Sequence, residues 1–321
     1  MEPPRSTRGA PPDELLELVQ LVQRELLLRE EAPSGNWVEG SATDLRSGEK
    51  VGWYYPTSSG GGLAFRSDRG AASFAHVHVG PGPDGYARAL ALSEKLLDSL
   101  PASAESVSVG FTGLPTDEEE ALLGYLGKRP GSTVIQRFAM ERPLSSRDGE
   151  ALPSLPEGLA LVPIRDVTLD ALAELDQRAF LGTTDELLIG SELSEYRRVM
   201  TALLAGEVGA FLDSASTVLY RREPPALVGA ILTCEKSARH AVFLDFMVDP
   251  AYRRRGHARY LLRWGLRALW ALGYERVRLW VTASNVSARR LYDSVGFLVT
   301  HRAVIYRWDR GPIAPQAHSD R

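Results

Sequence analysis

Cysteine is almost absent from this chain, with Cys234 the one example in 321 residues. That excludes a disulfide framework and a zinc site built from cysteines. Lysine is nearly as scarce: Lys50, Lys95, Lys128 and Lys236 are four of 37 basic residues, so arginine carries the positive charge. No run of 18 apolar residues occurs, which excludes a membrane-spanning helix. The opening MEPPRSTRGAPPDE is Pro-rich and polar and does not read as a secretory signal, so the expected compartment is the cytoplasm. What is present describes a soluble globular protein, with 44% hydrophobic and 24% charged residues over a length that suits two domains.

The net charge of −4 hides an asymmetry. Between Met247 and Arg310 there are 13 arginines against four acids, a balance of +9, whereas residues 1–246 carry 23 basic and 36 acidic residues, a balance of −13. A strongly basic block in an acidic protein suits an anionic ligand or forms a solvated face. No RNA-binding signature accompanies it, so nucleic acid is not expected as a partner.

Hydrophobic periodicity gives the same order of elements twice. After a polar head (1–12), a helix pattern begins at Asp13 with Leu15, Leu18, Val19, Val22 and Leu26 on one stripe. Strands are expected at 51–55, 62–66, 71–79, 106–111 and 132–142, with helices at 86–100 and 116–126. The stretch 143–158, rich in Pro, Ser, Gly and charge, reads as a linker. A second series then runs through 159–310, and a tail of 311–321 follows. Segment HVHVGPGPDGYARALALSEKLL lies over FMVDPAYRRRGHARYLLRWGLR, SVSVGF over RVRLWV, and STVIQRFAMER over FLVTHRAVIYR. A period this long implies tandem domains, 13–142 and 159–310, and not a solenoid.

The chemistry lies in 242–297. A strand ending at Pro250 leads through Arg253, Arg254, Arg255, Gly256, His257 and Ala258 into a helix with Leu261, Leu262, Gly265, Leu266 and Leu269 on its apolar face. A small-residue turn at a helix start is a ready anion site, because orphan N–H groups and the helix dipole both favour phosphate. Arg253, Gly256 and Ala258 fit the pattern Q/R-x-x-G-x-G/A. Further on, Asn285, Ala288, Tyr292, Gly296 and Phe297 fit N-x-x-A-x-x-x-Y-x-x-x-G-F. With both motifs in order, the segment resembles the core of the GNAT superfamily of N-acyltransferases, and the whole chain resembles its tandem two-domain members.

The resemblance implies an α/β (α+β) fold of two GNAT-like domains, each a mixed, mostly antiparallel sheet flanked by helices. It implies acetyl-CoA as cosubstrate, no metal, and an amine acceptor on a small molecule or peptide. The pyrophosphate would rest on the amides around Arg254–Ala258, with Arg253 among the arginines that grip its oxygens, and Asn285 would contact the pantetheine arm. A backbone N–H near Met247 or Val248 would meet the thioester oxygen. Tyr292 would protonate the leaving thiolate, and Asp245 is the preferred general base, with Glu235 and His240 as alternatives. Two further readings stay open: transfer of a longer acyl chain to a peptide or thiol-containing small molecule, and a non-catalytic CoA-binding regulator or scaffold. A monomer or a homodimer is expected.

The first half is read as a degenerate copy. Its Gly80–Gly85 stretch is formally G-x-G-x-x-G, but two prolines remove N–H donors and Asp84 repels phosphate. His76 and His78 share one strand face without a third ligand in view. Cys234 is read as a small hydrophobe.

Overall fold

The computed structural model describes residues 2–28, 37–69, 72–155 and 157–310. The expected tail at 311–321 lies outside them. Two compact units form: 1–136 with 303–321, and 137–302.

The first unit begins with β1 (Arg5–Ser6), α1 (Pro12–Leu28), α2 (Trp37–Ser47), β2 (Val51–Tyr55) and β3 (Gly62–Arg69). It continues through β4 (Ala72–Val79), α3 (Gly85–Asp98), β5 (Ser106–Thr112), α4 (Thr116–Leu126) and the first residues of β6 (Ser132–Pro143). Strands β2, β3 and β4 form an antiparallel meander, and β4 and β5 run parallel. Leu92, Leu96 and Leu97 of α3 pack on Val77, Val107 and Val109. The other stripe foreseen in the sequence, Leu15, Leu18, Val19 and Val22, is buried against Leu45, Tyr54 and Leu63.

The second unit holds β7 (Leu159–Pro163), α5 (Leu169–Phe180), α6 (Glu186–Ile189), α7 (Leu193–Leu204), β8 (Ala210–Phe211) and β9 (Thr217–Arg221). Then come β10 (Ala226–Ser237), β11 (His240–Val248), α8 (His257–Ala271), β12 (Arg276–Thr282), α9 (Val286–Asp293) and the start of β13 (Leu298–Asp309). Its strands run antiparallel from β7 through β9 and β10 to β11, and β11 and β12 are parallel. Helix α8 lies close on the sheet because Gly265 has no side chain; a Cβ there would come within 2.8 Å of Ile231 and 3.0 Å of Phe243. The mixed α/β architecture of mostly antiparallel sheets is the one the sequence suggests.

Chain order and unit membership part company at two strands. The sequence lets 132–142 close the first domain and 298–308 close the second. Instead, Arg137–Pro143 pair with β12 inside the second unit, while Ile305–Asp309 pair with β5 inside the first. Both strands carry similar apolar patterns, so periodicity alone does not specify which neighbour each one takes.

The expected linker is also a built part of the second unit. Asp148 accepts from the Ser145 N–H and caps a single turn at Ser146–Gly149. Both its oxygens bind Arg142, at 2.6 and 2.8 Å, and Arg142 also donates to the Val295 carbonyl. Leu144 is buried and Leu155 packs on the same core. Removing one partner of a largely buried ion pair strands the other, so Asp148→Ala should cost about 3 kcal/mol of stability. Denaturant titration measures this, and a cost near zero would return the segment to the status of a linker.

Candidate active site

Strand β11 carries one extra residue. Leu232 pairs with Asp245 and Thr233 with Phe243, so Leu244 bulges out of the ladder. Parallel pairing with β12 covers only His240–Phe243 against Arg276–Leu279. Beyond the bulge the two strands no longer pair with each other, and a split opens between 245–248 and 280–282. The repeat in the first unit lacks this opening: β4 and β5 stay paired from Ala72↔Ser106 to His78↔Thr112.

Register decides which amides face the split. Asp249 N–H donates to Val228 O at 3.0 Å, which sets the phase of the antiparallel ladder. Alternation then turns Met247 toward β10 and leaves Phe246 and Val248 facing the opening. Of the two amides considered from sequence, Met247 is therefore spent in the ladder, its side chain fully buried, and Val248 is the available donor.

Past Pro250 the chain turns through left-handed Arg254 (φ 61°) and Gly256 (φ 84°) into α8. Intrahelical bonding starts with Tyr260 N–H to Gly256 O, so the amides of His257, Ala258 and Arg259 project from the helix start. No atom lies within 4 Å of where a Gly256 Cβ would be, so space for a ligand is open on that side. Arg254 and Arg255 are exposed, with Arg255 over the Tyr252 ring at 5.7 Å. His257 is buried; burial and then Arg255 lower its pKa, keeping it neutral at pH 7.

Arg253 takes a different part from the phosphate grip expected of it. Its Nη2 donates to Ala179 O at 2.6 Å and its Nε to Val248 O at 3.2 Å, so it ties the loop to α5 and to the strand. Asp249 likewise binds Arg178 at 2.9 Å and caps Ala251. Beside the loop, a cavity of about 210 Å³ is lined by Leu152, Pro153, Leu155, Arg255, Arg259, Tyr260 and Arg263. The supposed linker is one of its walls.

Tyr292 lies within electrostatic reach of Asp245. The Tyr292 ring packs against Phe246 on β11 and Phe297, with centroids 6.2 and 5.9 Å away. Burial raises the Tyr292 pKa above the phenol range, and the charges of Asp245 and Asp185 raise it further. Asn285 sits at the N-cap of α9, its Oδ1 accepting from Ala288 N–H at 3.1 Å. That oxygen holds a helix end, where the resemblance gives the residue a pantetheine contact.

Two acids at this site escape sequence reasoning. Asp185, between α5 and α6, accepts from Thr282 Oγ1 at 2.5 Å and acts electrostatically on both Tyr292 and Asp245. Thr184 beside it bonds Ser284 at 2.9 Å, which ties this segment to the turn after β12. Asp176 of α5 is fully buried and meets the Asp245 carboxyl. Both lie outside the quoted motifs, and one buried polar residue in an apolar stripe was the sole available signal for Asp176. By contrast, Glu235 accepts from Tyr274 Oη at 2.5 Å and His240 faces Glu141 at 3.6 Å. Both stand at the end of β11 where pairing with β12 is intact. Burial pushes the Cys234 thiol up to about 11, which keeps it an inert thiol.

In the first unit the loop matching residues 253–258 is filled from within. Arg88 donates to Pro83 O at 2.8 Å and to Gly80 O at 2.9 Å. His76 and His78 both bond Thr112 Oγ1, at 2.8 and 3.0 Å. Among the described residues, no group of three His, Cys, Asp or Glu is placed to hold a metal ion, and no helix is long and apolar enough to cross a membrane.

Comparison with known proteins agrees with this geometry. Residues 171–297 match the Acetyltransferase (GNAT) family. The chain is 28% identical over 251 residues to the mycothiol acetyltransferase of Propionibacterium freudenreichii subsp. shermanii, spanning 74% of this chain and 76% of that protein. The crystal structure of a GCN5-related N-acetyltransferase from Sphaerobacter thermophilus shares the fold, with a TM-score of 0.62 at 19% identity over 94% of both chains. A tandem GNAT protein from the clavulanic acid biosynthesis pathway shares it over 97% of this chain and 98% of that one, with a TM-score of 0.54 at 17% identity.

Proposed function

Because residues 171–297 match the acetyltransferase (GNAT) family, we propose that this chain moves an acetyl group from acetyl-CoA to a primary amine of a small molecule or peptide. The observation that carries the amine is the meeting of Asp185, Asp245 and Tyr292 where the strands part. Carboxyl groups there attract an ammonium ion. An amine of pKa about 10.4 is protonated at pH 7, and freeing it costs about 4.6 kcal/mol. Asp245 accepts one proton from the ammonium nitrogen. The neutral nitrogen then bonds to the acetyl carbon as the C–S bond breaks.

Val248 N–H faces the position where negative charge develops on the carbonyl oxygen, a contribution of about 3 kcal/mol for one oxyanion donor. Tyr292 Oη gives its proton to the departing sulfur and regains one from solvent, and the nitrogen loses its second proton to solvent. The amides of residues 257–259, with Arg254 and Arg255, suit the pyrophosphate. In view of the mycothiol acetyltransferase relative, amine precursors of small thiols are the first acceptors to screen.

Calorimetric titration with acetyl-CoA tests the reading. One molecule should bind per chain, because the first unit keeps β4 and β5 paired and fills its loop with Arg88. Gly256→Glu should abolish binding by placing an anion in the cradle. Two molecules per chain would overturn the reading of the first unit as degenerate, and none would remove acetyl-CoA as donor.

A further inference from the structure

Asp176 has no place in the fold's own economy. It lies on the buried face of α5 among Leu172, Ala173, Leu175 and Ala179, with no solvent exposure. Neither of its carboxyl oxygens finds an N–H or O–H donor in the ordinary bonding of the unit, and the buried Tyr196 hydroxyl nearby on α7 finds no partner either. A carboxyl group left in such surroundings costs several kcal/mol, and an apolar side chain of similar volume would pack there without that penalty. The polar group Asp176 does meet is the carboxyl of Asp245.

Two carboxyl groups in contact, one of them fully buried, cannot both be anions, and a hydrogen bond between them requires one shared proton. We propose that Asp176 is a positioning residue for Asp245: its protonated carboxyl donates the hydrogen bond that holds the Asp245 carboxylate at the mouth of the split. The inference rests on the reading of Asp245 as the base.

The surrounding charges are consistent in sign. Asp185 acts on Asp245 from the segment after α5, and the buried Tyr196 of α7 feels Asp176, Glu186, Glu195 and Asp245 together. Tyr292 faces the pair from α9. Burial first, and then the neighbouring carboxylate, raise the Asp176 pKa; burial is likewise the main cause of the raised Asp245 pKa. Asp176 is fully buried and Asp245 only half-buried, so the shared proton rests on Asp176 and Asp245 is the anion of the one-proton pair, more basic than a free carboxylate as removal of an ammonium proton demands. When it takes that proton the pair holds two, and one passes to solvent before the next turnover.

Two substitutions and one spectrum test this. In Asp176→Leu, Asp245 loses its donor and faces an apolar neighbour, so its charged form is disfavoured. The acid limb of kcat/KM should move up by about one pH unit, with about a tenfold loss at pH 7 that recovers at higher pH. Asp176→Asn keeps an N–H donor and should return the limb close to wild type. The melting temperature of Asp176→Leu should not fall. A merely structural residue would instead lower activity equally at all pH values, and an unshifted limb in Asp176→Leu overturns the proposal. Infrared difference spectroscopy needs no acceptor: at pH 8 the wild type should retain the C=O band of a protonated carboxyl group that Asp176→Asn lacks. If no amine is acetylated but that band is found, the proposed function falls and the shared proton stands. If the band is missing, the pairing itself is refuted.

Discussion

Tyr292→Phe should lower kcat for the proposed acetyl transfer by about 10³-fold while leaving acetyl-CoA affinity nearly unchanged, within the range of about 10²–10⁴ expected for loss of a general acid. The substitution removes one oxygen and keeps the ring, so the contacts with Phe246 and Phe297 persist. The loss therefore belongs to chemistry and not to folding. Because burial and the nearby acids raise its pKa, Tyr292 holds its proton throughout any ordinary assay range. The native state binds that proton more tightly than the unfolded chain, so its contribution to stability is complete below about pH 10 and declines above it. Steady-state kinetics with the best acceptor, alongside a titration with acetyl-CoA, separates the two parameters. A kcat within threefold of wild type would assign proton delivery to water or to another group.

Asp245→Asn is the second large effect, a fall in kcat/KM of about 10²–10⁴ at pH 7. The amide is nearly isosteric but cannot accept the ammonium proton. Raising the pH should narrow the gap, because more of the acceptor is already neutral in solution. The wild-type acid limb should disappear in the variant. Stability carries an independent sign. Burial raises the pKa of Asp245 and Asp176 in the folded state, so the native protein binds protons more tightly than the unfolded chain. Their contribution is present below the ordinary carboxylate pKa of about 4 and is lost as pH rises toward and beyond neutrality. Asp245→Asn should flatten that decline in a series of denaturant melts. If both variants kept their activity, the converging acids would be a binding site for a cation and not a catalytic centre.

Much of the second unit was legible without coordinates. The glycine at 256 follows a strand and opens a helix whose apolar face repeats at i, i+3 and i+4, and such a sequence has few other ways to fold. Asn285 and Tyr292 stood out through the resemblance of their segment to the family's N-x-x-A-x-x-x-Y-x-x-x-G-F pattern. The roles of single residues were less legible. Arg253 fits a phosphate pattern by identity, yet its guanidinium reaches the carbonyls of Ala179 and Val248. Which amide faces the split depended on the bulge at Leu244, and a one-residue shift in register exchanges Met247 for Val248.

The sequence by itself determined the types and order of most elements and the glycine-bearing turn that opens α8, because each is a local pattern within one strand, turn or helix. Only the tertiary structure decided that Arg137–Pro143 pair with β12 and Ile305–Asp309 with β5. It alone brought Asp176 and Asp185 to Asp245 from 69 and 60 positions away in sequence. Contacts at such separations follow from which surfaces can be buried together, and no short window of residues encodes them.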